Sequence, residues 1–301
     1  MKILIIGSKG FIGGAAVGFF KQLNYEVFGC DVVTDYVDKK YIQIDVTNSD
    51  YNSIFKENKI DVCLNCSGAA SVPLSIEFPL KDFNLNTVNV YKILEAIRMQ
   101  QPKCKFVNLS SAAVYGNPTI LPINESASLK PLSPYGIHKM QAEQICKEFY
   151  DYYKIKTCSL RIFSAYGNGL KKQLLWDLFK KFAFNDKVEL FGTGNETRDF
   201  IHIDDVLHAI HLIIQKASFV GEEINLANGE EQSIGYIAEL YKDILRSDKA
   251  IVFNQFSKPG DPLNWRADIS KLLAMGYVPK KKLEDGVKEY IHWAKQLKTD
   301  Y

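Results

Sequence analysis

Tyr135 and Lys139 stand four residues apart in the stretch Pro134 to Tyr153, whose apolar residues recur near helical spacing, so both side chains share one helix face. The pair has a definite chemical use. A phenol titrates at about 10, too high for a base at neutral pH, but a neighbouring ammonium stabilises the phenolate. Tyr135 can then take a hydroxyl proton while hydride leaves the same carbon. Tyr-x-x-x-Lys also arises by chance in many helices. What favours chemistry is Ser110-Ser111, which follows the apolar run Lys105 to Leu109, because a serine at a strand end can share a hydrogen bond with the same substrate oxygen.

A second constellation lies near the start. Gly7-Ser8-Lys9-Gly10-Phe11-Ile12-Gly13 separates a β-branched run from a helical pattern, where glycines allow a tight turn and close approach to a pyrophosphate. Asp31, at the end of the next apolar run, is set to accept hydrogen bonds from an adenosine ribose and to repel the additional phosphate of NADP. Arginine is missing between Gly7 and Asp61, although Lys39 and Lys40 can also neutralise phosphate. NAD is the expected cofactor. Asp45-Val46 after the third run either contacts adenine or forms an ordinary strand-end turn.

These groups need a frame. The first half alternates short β-branched runs (Lys2 to Ile6, Glu26 to Cys30, Asp61 to Cys66, Lys105 to Leu109, Thr157 to Ile162) with helical patterns at Phe11 to Leu23, Asp82 to Met99 and Pro134 to Tyr153. Repeated βαβ units of this kind predict an α/β fold, a doubly wound parallel sheet of Rossmann type. After Gly167 the pattern changes to a helix over Lys171 to Phe184 and a loop at Gly192-Thr193-Gly194-Asn195. Ile203 to Gln215 reads as a helix and Glu223 to Leu226 as a strand. The expected division is a nucleotide-binding domain over 1–167, rejoined by 202–228, and a smaller mixed α/β substrate domain over 168–201 and 229–301.

Bulk properties bound the partners. A chain of 301 residues, 47% hydrophobic and 24% charged, buries a large core. Its net charge of +2 gives no electrostatic case for nucleic acid or a membrane surface, and Ile3 to Ile6 is too short to span a bilayer or to serve as a signal peptide. Six cysteines without framework spacing favour reduced thiols and a cytoplasmic location. Metal is not expected. Cys63 and Cys66 fall three apart on a strand and so face opposite ways, and His208 and His211 lack a third ligand in a metal-binding motif. Lys280-Lys281-Lys282 reads as a solvated turn.

Taken together, the glycine motif, Asp31, Asn65 to Ala70, Asn86, Ser110-Ser111-Ala112-Ala113-Val114-Tyr115-Gly116, Ser133-Pro134-Tyr135-Gly136 with Lys139, Leu160-Arg161-Ile162-Phe163, Arg198-Asp199-Phe200-Ile201-His202 and Gly260-Asp261 cover nearly the whole chain. The sequence thereby resembles the extended short-chain dehydrogenase/reductase family, and within it the nucleotide-sugar epimerases and dehydratases. The resemblance implies that Ser111, Tyr135 and Lys139 form the catalytic set, that Asn86 supports the active site at the cofactor, and that Arg198 contacts a nucleoside-diphosphate sugar. It also implies a homodimer paired through Asp82 to Met99 and Pro134 to Tyr153.

Family dehydratases carry acidic residues just after the catalytic hydroxyl residue, where this chain has Ala112 and Ala113, and alanine cannot help to expel water. A C4 epimerase of the galactose type, with a transient 4-keto sugar, is the expectation that remains. A dehydrogenase or ketoreductase that releases its product would use the same three residues, and a silent NAD-binding regulator would share the fold. Ser164 replaces a usual asparagine near the substrate phosphates, and Lys258 replaces an arginine, keeping charge but losing bidentate geometry. Trp265 and Arg266 either line the sugar pocket or, for Trp265, pack in the core.

Overall fold

The computed structural model describes residues 1–45, 49–256 and 260–297. The chain runs through β1 (Lys2–Ile6), α1 (Phe11–Gln22), β2 (Glu26–Asp31), β3 (Tyr41–Gln43), α2 (Tyr51–Glu57), β4 (Val62–Asn65), α3 (Val72–Glu77), α4 (Pro79–Phe83), a π-helical turn (Asn84–Val88), α5 (Asn89–Gln100) and β5 (Lys105–Ser111). After a 3-10 turn (Ala112–Val114) come α6 (Pro134–Tyr153), β6 (Thr157–Ile162), β7 (Ser164–Tyr166), α7 (Gln173–Phe184), β8 (Val188–Leu190), β9 (Thr197–His202) and α8 (Ile203–Lys216). The remainder forms β10 (Val220–Leu226), β11 (Glu231–Ser233), α9 (Ile234–Leu245), β12 (Ile251–Phe253), α10 (Ser270–Ala274) and α11 (Leu283–Leu297).

Seven strands make one parallel sheet in the order β10-β6-β5-β4-β1-β2-β3. The order reverses between β1 and β4, and a doubly wound sheet binds its ligands at the carboxyl ends of the strands flanking such a reversal. Strands covered on both faces read as unbroken apolar runs, and β1 illustrates why. Ile3 and Ile5 pack with Ala16 and Phe20 of α1 and with Val206 and Ile210 of α8. Leu4 and Ile6 pack on the other face with Ile54 and Phe55 of α2, Ile93 and Ile97 of α5, and Cys146 and Phe149 of α6. Cys63 joins this second face and Cys66 the first, so the two thiols are separated by the sheet as their spacing predicts.

A smaller mixed sheet, β11-β9-β7, pairs β9 parallel to β7 and antiparallel to β11, and β12 pairs with β8. Around it a separate core joins Leu178 and Phe179 of α7, Ile237 and Tyr241 of α9, and Tyr290 and Ile291 of α11. No helix among the described residues is long and apolar enough to cross a membrane.

Two elements differ from expectation. The helix expected over Asp82 to Met99 is α4, a π turn and α5 in succession. A π turn inserts one extra residue, and here it carries Asn86, whose side-chain amide donates to the Ala69 carbonyl at 3.1 Å. β5 runs two residues beyond Leu109, because Ser110 and Ser111 continue the pairing with Arg161 and Ile162 of β6.

Candidate active site

The sheet's carboxyl edge gathers the residues singled out for chemistry. Ser111 ends β5, and its hydroxyl accepts from the Ala113 amide at 3.2 Å, which starts the 3-10 turn. α6 begins on Ser133, whose hydroxyl accepts from the Gly136 amide at 3.2 Å, with Pro134 in the first turn where its missing N–H costs nothing. Gly136 lets this helix start close to the sheet: a Cβ there would stand 2.7 Å from the Ala113 carbonyl oxygen and 2.8 Å from Pro131. Tyr135 thereby stands close enough to Ser111 for that hydroxyl to favour its phenolate. Lys139 follows one turn later, its Nζ 5.9 Å from the Tyr135 ring centroid and donating to the Leu109 carbonyl at 2.8 Å.

Both groups are buried, and burial sets their electrostatics. It pushes the Tyr135 phenol up to about 12, against the pull of the Ser111 hydrogen bond and with a further push from the charge of Asp82. Burial lowers the Lys139 ammonium to about 8, opposed chiefly by Asp82. A buried phenol and ammonium one helical turn apart place an ionisable hydroxyl and a cation side by side, away from bulk water.

Beneath the strand ends lies a buried network. Arg161 donates to both carboxylate oxygens of Glu143 at 3.0 and 2.8 Å, to the Tyr115 hydroxyl at 2.9 Å and to the Glu125 carbonyl at 2.7 Å. Ser110 donates to Glu143, and Tyr115 to Asn225 at 2.6 Å, so β5, β6, β10 and α6 are tied together under the site. Glu143 is one turn beyond Lys139, which couples the network to the face of α6 that carries Tyr135 and Lys139.

The residues expected to hold the nucleotide occupy the other side of the reversal. Gly7 turns with φ 81°, and a Cβ on it would press on the backbone of Cys66 and Ser67 at 2.7 Å; one on Gly13 would collide with the Gly7 carbonyl. Gly10 caps α1 without a side chain, leaving the first-turn amides of Phe11, Ile12 and Gly13 without a side-chain cap. Asp31 ends β2, and its carboxylate accepts from the Lys9 amide at 2.8 Å and the Val32 amide at 2.7 Å. Asp45 is exposed just past β3, while Val46 lies outside the described residues.

Asn86 is buried with its Oδ1 unpartnered, and the Cβ that Gly68 lacks would press on that oxygen and come within 3.5 Å of Lys139 Nζ. A glycine cradle with uncapped amides and an orphaned buried acceptor beside Lys139 fits a dinucleotide with its nicotinamide end toward Tyr135.

On the far side, the mixed sheet carries the residues expected at the substrate. Ser164 opens β7 opposite Phe200, half-buried. Arg198 on β9 donates to the carbonyls of Thr197 and Leu263 at 2.9 and 3.3 Å and covers the Trp265 ring at 5.6 Å. Trp265 packs edge-on against Phe163 and donates to the Gly116 carbonyl at 3.0 Å, so it joins this side to the turn after Ser111. Asp199, which the sequence did not single out as a support, accepts from the amides of Asn228, Gly229 and Ala267 and fixes the loops beside Arg198. Lys258 lies outside the described residues, next to Gly260, which abuts Val72 and Ser133 at the start of α6.

Comparison with known proteins gives one pattern. The sequence model of the NAD-dependent epimerase/dehydratase family matches residues 3–227. A UDP-glucuronate 4-epimerase of Thermodesulfobacterium geofontis is 27% identical over 97% of this chain and 96% of its own. The human dTDP-D-glucose 4,6-dehydratase is 24% identical over 98% of this chain and 90% of its own. Among solved structures, UDP-glucuronic acid 4-epimerase from Bacillus cereus, in complex with UDP-glucuronic acid and NAD, superposes with a TM-score of 0.89 at 28% identity, covering 99% of this chain and 100% of that one.

Proposed function

The chain belongs to the NAD-dependent epimerase/dehydratase family, and on that premise we propose that it inverts C4 of a sugar carried on a nucleoside diphosphate, by transient oxidation to the 4-keto sugar. The observation that carries this reading is the convergence of Tyr135 on Ser111, with Lys139 behind them, in a turn continued by Ala112 and Ala113 rather than by a carboxylate.

Tyr135 takes the proton of the C4 hydroxyl, and Ser111 holds the same oxygen in line. Lys139, fixed on the Leu109 carbonyl, supplies the positive charge that a phenol raised to about 12 needs before it can act as a base. NAD, when bound, supplies the hydride acceptor at C4 and the cationic ring that adds to the charge of Lys139. Once the keto sugar has presented its other face and hydride comes back to C4 on that face, Tyr135 returns the proton to the oxygen there. Gly7, Gly10, Phe11, Ile12 and Gly13 cradle the dinucleotide phosphates, with Asp31 at the adenosine ribose, Asp45 at the adenine and Asn86 at the nicotinamide end. Arg198, Ser164 and, outside the described residues, Lys258 hold the substrate diphosphate.

In this reading 1–167 with 202–228 serve the nucleotide and 168–201 with 229–301 serve the sugar. The relatives named above act on UDP or dTDP sugars, which makes UDP-glucuronate and UDP-glucose the first substrates to try. Loss of water, the outcome in the dehydratase relative, is disfavoured here because Ala112 and Ala113 offer no acid. We also infer a cytoplasmic homodimer. All six cysteines are free thiols, and Tyr91 and Met99 on α5 with Ile137 and Tyr152 on α6 leave apolar surface on the helices that would pair.

Incubating the purified protein with each UDP sugar and no added cofactor tests the reading: the C4 epimer should appear in the proton NMR spectrum. Stoichiometric NADH with a released keto sugar, once NAD is added, would transfer the assignment to a dehydrogenase.

A further inference from the structure

Trp265 is half-buried, and its neighbours on either side belong to two different parts of the molecule. Its backbone amide donates to the Thr197 carbonyl at 3.2 Å and the Thr197 amide donates to the Leu263 carbonyl at 3.0 Å, so 263–265 lies along the start of β9, beside Arg198. The same segment is pinned from the other side. The Leu263 amide donates to Oδ1 of Asn117 at 2.7 Å, the Ile123 amide to the Arg266 carbonyl at 2.7 Å, and the indole N–H to the Gly116 carbonyl at 3.0 Å. Gly116 is itself held in place: it turns with φ 66°, and a Cβ on it would collide with the Lys130 carbonyl. The indole edge is thus fixed on the turn that continues from Ser111, while the Arg198 guanidinium covers the ring 5.6 Å from its centroid.

We propose that Trp265 is a positioning residue for substrate binding, which holds the guanidinium of Arg198 against the indole so that the cation meets a nucleoside diphosphate in one orientation, in register with the turn after Ser111. This rests on the reading of Arg198 as a residue that contacts the substrate diphosphate.

The side chain explains the need. Pairing with Gln232 of β11 fixes the Arg198 backbone, but a long flexible stem leaves the charged end free to turn unless something holds it. The bonds to the Thr197 and Leu263 carbonyls are both made by Nη1 and so secure one corner of the guanidinium. A plane needs a second constraint. The indole supplies it, since tryptophan is the aromatic face that attracts a cation most strongly, and Phe163, edge-on to the ring at 5.8 Å, backs it from the parallel sheet's side. A planar fork set in advance loses less freedom when phosphate oxygens dock on it, and binding tightens accordingly.

Calorimetric titration with UDP at saturating NAD separates this role from packing, using the wild type, Trp265→Leu, Trp265→Phe, Arg198→Met and the double variant Trp265→Leu with Arg198→Met. Trp265→Leu removes the aromatic face and should weaken UDP binding about tenfold, whereas Trp265→Phe, which keeps a ring, should stay within about threefold of wild type. In the Arg198→Met background Trp265→Leu should add nothing, because the guanidinium it would misplace is gone. If Trp265→Leu does not fold, Trp265→Met makes the same comparison. Equal weakening by Trp265→Leu with and without Arg198 would mean that the indole only packs, and would overturn the proposal. So would unchanged UDP binding in Trp265→Leu, or a Trp265→Phe that binds no more tightly than Trp265→Leu. Wild-type affinity in Arg198→Met, or a wild type that does not bind UDP, would instead remove the reading of Arg198 on which the proposal stands.

Discussion

At the residue scale the account turns on one oxygen, the Tyr135 hydroxyl. Burial pushes the phenol to about 12 even with Ser111 beside it, so a phenolate at neutral pH needs added positive charge. Tyr135→Phe keeps the ring and its packing but removes the group that moves the proton, and kcat should fall by roughly 10²–10⁴-fold with little change in thermal midpoint. Turnover within a few-fold of wild type would remove Tyr135 from the chemistry. The spacing of Tyr135 and Lys139 was legible because four residues is one helical turn, and Ser111 because a strand end exposes its side chain to the ligand edge. The charge of Asp82, which bears on both Tyr135 and Lys139, was not legible, because it reaches them through the packing of α4 on α6.

Elements carry the next level of constraint, and here the sequence was most informative where local chemistry dictates the outcome. Apolar spacing placed α6 and the glycine-rich turn after β1 placed α1, and in the structure Ser133 caps the α6 start with Pro134 in its first turn. The π turn was not foreseen, because apolar spacing continues through Asn84–Val88 and the reason for the extra residue, Asn86 reaching Ala69, is tertiary. The network under β5, β6, β10 and α6 was equally hidden, since Glu143 and Arg161 look like surface charges in a linear reading. Each has a side chain 3% exposed, so Arg161→Met strands a buried carboxylate and should cost about 3–5 kcal/mol in urea unfolding. The double variant with Glu143→Leu should recover much of that loss. A cost below about 1 kcal/mol for Arg161→Met would mean that the pair does not hold the strand ends together.

For the molecule as a whole, the doubly wound parallel sheet followed from alternating runs because βαβ crossovers allow few other arrangements. The mixed sheet was less legible: β7 and β11 have three residues each, too short for a periodic signal, and β7 follows β6 so closely that the chain changes sheet within two residues. Of the residues proposed for the site, Tyr135 and Lys139 stand on α6 against the parallel sheet, and Arg198 and Ser164 on strands of the mixed one. The exposed Tyr91, Met99, Ile137 and Tyr152 lead us to expect a dimer by sedimentation at micromolar concentration, which Ile137→Asp with Met99→Asp should convert to monomer. A wild-type protein already monomeric there would contradict the pairing.

The central claim is that the hydrogen on C4 leaves and returns within one active-site visit while Tyr135 moves only the hydroxyl proton. Epimerisation of a UDP sugar deuterated at C4, followed by NMR in ordinary water without added cofactor, tests this most directly. The account predicts that the epimer retains its deuterium at C4, whereas an epimer carrying solvent hydrogen at that carbon would contradict it.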